Sequence, residues 1–171
     1  MTTYLVLTAI GDDKPGLVES LAQTIANNAG NWLESNMSQL AGKFAGVLRV
    51  SVNDQDADRL IGALEELSDQ LTLVIERVDI DETQNTEQTV ELNLIGNDRA
   101  GIVQEISHAL AKLSVNVEKL ASERAPAPMS GDALFKASAL LKVPEGLNLE
   151  DLRSALEGLA DDLIVELREG S

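Results

Sequence analysis

Gly11-Asp-Asp-Lys-Pro-Gly-Leu-Val18 recurs 85 positions later as Gly96-Asn-Asp-Arg-Ala-Gly-Ile-Val103. The offset persists downstream, where Ala26 matches Ala111 and Asn31 matches Asn116. A repeat that keeps a turn, a helix and a following polar residue in register is one structural unit copied in tandem. The 171-residue chain therefore reads as two small domains, 1–80 and 88–171, joined by a polar, turn-rich linker at 81–87. Each copy can bury only a modest core, so docking of the two as a pseudo-dimer is expected to stabilise both.

Within the first copy, Tyr4 to Ile10 is a short apolar run ending at Gly11, as a buried strand would be. Asp13-Lys-Pro-Gly16 then turns the chain into a helix carrying Leu17, Val18, Leu21, Ile25 and Ala29 at helical spacing, with Gly30 as its stop. A second strand runs from Asn31 to Leu40, and Ala41-Gly42-Lys43 turns into a third from Phe44 to Val52. Leu60, Ile61, Leu64 and Leu67 form the stripe of a second helix, and Leu71 to Val78 closes the unit. The second copy repeats this order: strand 90–95, a helix through Ile102, Ile106 and Leu110, strands 116–122 and 135–143, a helix through Leu152, Leu156 and Leu159, and strand 163–167. Inserted residues within Ala125 to Asp132 lengthen its central connection. The order β-α-β-β-α-β predicts an α+β fold, two tandem ferredoxin-like domains whose helices cover one face of an antiparallel sheet.

Composition narrows the function. The net charge of −16, from 29 acidic against 13 basic residues, opposes phosphate binding, which Lys and Arg drive. Only four aromatics, Trp32, Tyr4, Phe44 and Phe135, are present to stack bases. No direct contact with nucleic acid is expected. Cysteine is absent, which removes disulfides and thiolate chemistry. Met1 to Leu7 lacks a basic segment and reads as a strand, and no apolar run approaches the ~18 residues that span a bilayer. Neither a signal peptide nor a membrane contact is expected, and the expected location is the cytoplasm.

The turn has a physical reason to bind something. It delivers a helix N-terminus whose first N–H groups lack intrahelical partners and carry partial positive charge. The N–H groups of Gly16 and Leu17 can receive a carboxylate, Asp13 can accept from an ammonium, and Asn31 can both donate and accept. The competing reading is structural: Asp13 caps the helix, Pro15 starts it, and Gly16 permits tight strand–helix packing. Asp98, Gly101, Ile102 and Asn116 stand in the same relation in the second copy.

Other motifs fall away. Asp54 to Glu65 nearly spells a calcium loop, but Arg59 stands where glycine is needed, and capping by Asp54 or Asp56 fits better. His108, the single histidine, lies off its helix's apolar stripe, and no metal site is expected. No nucleophile–base pair or phosphate loop can be assembled, so neither an enzyme nor a cofactor is expected. Trp32 is expected to fill core space where the second copy has Val117.

The strand ending in glycine, Asp13-Lys-Pro-Gly-Leu-Val18, and Ala29-Gly-Asn-Trp-Leu-Glu-Ser35 on the next strand resemble the ACT domain. Two such modules in so short a chain, with Ala127 to Lys136 of the second copy, resemble the glycine cleavage system transcriptional repressor family. The resemblance implies ferredoxin-like modules that bind a small amino acid, glycine or a near relative, close to an interface between two domains. It places the ligand at Asp13, Pro15, Gly16, Leu17 and Asn31, and at Asp98, Gly101, Ile102 and Asn116. It implies a transcriptional regulator as protein partner and allows a homodimer. The alternative is an interaction scaffold or regulatory subunit that keeps the fold without binding an amino acid. Ala100 replaces Pro15, Asn97 replaces Asp12, and Ser114-Val115 replaces Ala29-Gly30, so the two copies are expected to differ in preference or to leave one site working.

Overall fold

The computed structural model describes residues 1–79, 87–126 and 133–170. The chain separates into two units, Met1–Glu82 and Thr83–Ser171. Most of the expected linker 81–87, and positions 127–132 of the expected insertion, lie outside the described residues.

In the first unit, strand β1 (Thr2–Asp12) leads into helix α1 (Leu17–Asn27), then β2 (Asn31–Leu40), β3 (Lys43–Asn53), α2 (Asp54–Glu65), a 3-10 turn (Glu66–Asp69) and β4 (Thr72–Val78). All neighbours are antiparallel, in the order β2-β3-β1-β4. Alternation explains the layering: Leu5, Leu7 and Ala9 point to one face of β1, where Leu48, Val50 and Val52 of β3 join them. Leu21 and Ile25 of α1 and Ala57, Leu60 and Leu64 of α2 close over that face. Trp32 packs half-buried against this cluster, as its place on β2 suggests.

The second unit has β5 (Gln88–Asn97), α3 (Ile102–Lys112), β6 (Asn116–Pro126), β7 (Ala133–Val143), α4 (Leu149–Glu157) and β8 (Ile164–Glu169). Its sheet order is β6-β7-β5-β8, the same plan. Phe135 is the one aromatic in an otherwise aliphatic core among the described residues. Both units are ferredoxin-like, α+β in class.

The repeat extends to backbone irregularities. A bulge interrupts β2 between Trp32 and Glu34, and its counterpart interrupts β6 between Val117 and Lys119, at the same 85-residue offset. Left-handed Ala29 (φ 65) and Ser114 (φ 58) end the first helix of each unit. That corrects the expected helix stop: Asn28 caps α1, Ala29 takes the positive φ, and Gly30 serves another need. A Cβ on Gly30 would meet Ile25 Cγ2 at 2.8 Å, so the glycine allows the strand to start tight under the helix. Leu67 belongs to the 3-10 turn and Leu159 lies beyond α4, so both helical stripes are shorter than the spacing suggests.

Candidate functional site

Each unit presents one turn between its first strand and first helix. In the first, Gly16 is the helix N-cap with φ 94, and Leu17 is the first helical residue, buried in the core. In the second, Gly101 (φ 83) and Ile102 do the same. No side chain caps either helix, which corrects the expectation that Asp13 is the cap and that Pro15 begins the helix. Gly16 is not there for close packing either. Nothing lies within 4 Å of the position its Cβ would take, and it is the positive φ that favours glycine. The space above the Gly16 backbone is open.

One backbone bond fixes both turns. Asp13 N–H donates to the Gly42 carbonyl (3.0 Å), and Asp98 N–H donates to the Ala133 carbonyl (2.9 Å). The turn therefore sits at the end of the sheet where β2 and β3, or β6 and β7, join. In the first unit that joint is the two-residue hairpin Ala41-Gly42, with φ 53 and φ 80, as a type I′ turn requires.

The two asparagines lie elsewhere. Asn31 is level with Ser51 and Tyr4, whereas Asp12 is level with Lys43. The eight residue-to-residue steps of β1 from Tyr4 to Asp12 span ~26 Å at about 3.3 Å each. Asn116, level with Lys142 and Thr89, is set apart from Asp98 in the same way. Within one unit, then, the structure brings Asp13, Pro15, Gly16 and Leu17 together and leaves Asn31 at the opposite end.

Side chains make the two turns different. The exposed Asp13 carboxylate has no partner among the described residues. Its neighbour Asp12 accepts a hydrogen bond from Lys43, and that bond, with the lysine's charge, lowers the Asp12 pKa. In the second turn, Arg124 Nε lies 2.9 Å from Asp98 Oδ2, and the Asp98 side chain is only 26% exposed. Arg99 pairs with Glu105 and donates to the Leu159 carbonyl (3.2 Å). Asn97 N–H donates to Asp162 Oδ2 at 2.7 Å, and Ile102 N–H reaches the Arg99 carbonyl at 3.3 Å. Sequence reasoning missed Arg124 and Asp162. A signal for Arg124 existed: the same 85-residue offset that pairs Asp13 with Asp98 pairs Gln39 with Arg124. Both are level with a phenylalanine beside the turn, Phe44 and Phe135.

Other candidates recede. Asp54 is the first residue of α2, behind Asn53 as cap, and accepts from Thr3 Oγ1 at 2.5 Å, so neither Asp54 nor Asp56 is a side-chain cap. His108 is exposed. Among the described residues no group of three or more acidic or histidine side chains could hold a metal ion, and no helix is long and apolar enough to cross a membrane. A shallow hollow of about 310 Å³ opens on the second sheet, lined by Asn93, Glu123, Lys136 and Ser138 among others, and takes in neither Asp98 nor Arg124.

Fold and turn together define a ferredoxin-like α+β module that presents a strand-to-helix turn in each unit. Residues 3–77, nearly all of the first unit, match the family model of the ACT domain. The second unit repeats the topology of the first, strand order and all. Over its full length the chain is similar to an unknown protein from Galdieria sulphuraria, at 27% identity and a TM-score of 0.87, covering 100% of each chain. It also shares its fold with a candidate glycine cleavage system transcriptional repressor, at 22% identity and a TM-score of 0.73, covering 100% of this chain and 99% of that one. No curated protein matches the sequence.

Proposed function

We propose that this protein senses a small amino acid, glycine or a near relative, and passes the signal to a transcriptional regulator by protein contact. It acts in the cytoplasm, without touching DNA and without catalysing a reaction. The observation that carries this reading is the first turn. There, the exposed Asp13 carboxylate, without a partner among the described residues, stands beside open backbone at Gly16 and the N-terminus of α1. Such a turn offers an acceptor for an ammonium and N–H groups for a carboxylate, the two ends of an amino acid. The ACT match over residues 3–77 and the fold shared with a candidate glycine cleavage repressor support the choice of ligand and of role. The charge of −16 supports control through a protein partner. Because Asp13 and Asn31 lie at opposite ends of one sheet, the proposal includes a homodimer in which a second copy of the chain brings an asparagine to the ligand.

Thermal unfolding against a panel of free amino acids tests the reading. A ligand at 100 times its Kd adds about 2.7 kcal/mol of stability. The expected result is a raised midpoint, selective for one small amino acid and lost in Asp13→Asn. The second turn favours another reading, a scaffold that keeps the fold without a ligand, since its carboxylate is already paired. A flat response across the panel would select that reading.

A further inference from the structure

We infer that Arg124 confines amino-acid recognition to the first unit, an inference that rests on the reading of the first turn as an amino-acid site. The two turns share the left-handed glycine and the bond that ties them to the sheet, so their difference in ligand chemistry must come largely from side chains. At the first, the Asp13 carboxylate is exposed and makes no ion pair among the described residues, and the matched position on β2 is the neutral Gln39. At the second, the Arg124 guanidinium lies 2.9 Å from Asp98 and supplies the positive charge that a ligand ammonium would bring. The Asp98–Arg124 pair carries no net charge, and an arriving ammonium meets a like charge that holds the acceptor it needs. The α3 end is also occupied. The Ile102 N–H that would receive a carboxylate already points to the Arg99 carbonyl, and Arg99 is held in turn by Glu105 and Leu159. Both halves of an amino-acid site are thus taken by groups of the second unit itself. Arg124 acts on the ligand through Asp98 and is a specificity-determining residue.

The reciprocal exchange Gln39→Arg and Arg124→Gln tests this. Calorimetric titration of the full chain with glycine, alanine and serine reads the number of binding equivalents. The wild type is expected to take up about one equivalent of its preferred amino acid per chain. Gln39→Arg should lose it. Arg124→Gln should raise uptake toward about two equivalents, the second weaker than the first by about tenfold, about 1.4 kcal/mol, because the Ile102 N–H still reaches the Arg99 carbonyl. Both positions are exposed, and Arg124→Met, which keeps the aliphatic stem, serves as the second variant that removes the charge. A gain of binding cannot arise from lost structure. Wild-type uptake of two equivalents, or uptake unchanged in both Arg124 variants, would overturn the inference while leaving the amino-acid reading of the first turn intact. No uptake by the wild type would overturn that reading, and the inference with it.

Discussion

The two turns have one backbone and two chemistries. Gly16 and Gly101 adopt the same left-handed conformation, Asp13 and Asp98 donate the same backbone bond, and each turn enters a helix whose first residue is buried. The first turn is tied mainly by that bond and by the exposed Lys43–Asp12 pair. The second adds Arg124 on Asp98, Arg99 on Glu105 and Leu159, and Asp162 on the Asn97 amide. What sheet and helix geometry dictates has been kept in both copies. The solvent-facing side chains, which the fold does not constrain, have diverged. The difference teaches that a shared fold can leave the carboxylate of one turn exposed and engage that of the other with its own side chains.

The comparison breaks most visibly where a glycine is needed for space. A Cβ on Gly11 would lie 2.9 Å from the Gln70 carbonyl oxygen, a backbone atom, whereas on Gly96 it would meet the tip of Leu163 at 2.8 Å. Gly11→Ala is therefore expected to cost about 1–3 kcal/mol, and Gly96→Ala less, because a side chain can turn aside. Denaturant unfolding checks both, with fluorescence of Trp32, the single tryptophan, reporting on the first unit. Next in size is Asp162→Ala, which frees the Asn97 amide and should cost about 1 kcal/mol. Hydrogen exchange at Asn97 should accelerate while Asp12, its counterpart in the first unit, is unaffected. The smallest effect belongs to Lys43→Ala. Asp12 has a depressed pKa, so its contribution is present above the ordinary carboxylate range and is lost as pH falls through its own lowered value. The pair is exposed, so the midpoint at neutral pH should not move, while an NMR titration should find the Asp12 pKa raised to the ordinary range.

Much of this was legible in the sequence, because local rules dominate there. Strand alternation in β1, the helical spacing of Leu17, Leu21 and Ile25, and the 85-residue offset gave the element order and the sheet plan. The reasons for the glycines were harder to read, since a positive φ at Gly16 and a close contact at Gly30 look alike in sequence. The separation of Asp13 from Asn31 became plain only with strand register, because sequence proximity hides a helix that carries the chain back along the sheet. Arg124 was missed because its partner Asp98 is 26 positions earlier, a contact that only the fold brings about.

The central claim is that the first turn is the one open to an amino acid. Backbone amide chemical shifts recorded during a glycine titration of the full chain test it most directly. The account expects saturable shifts at Gly16 and Leu17, with Gly101 and Ile102 unmoved. Saturable shifts at Gly101 and Ile102, or none at either turn with any small amino acid, would contradict it.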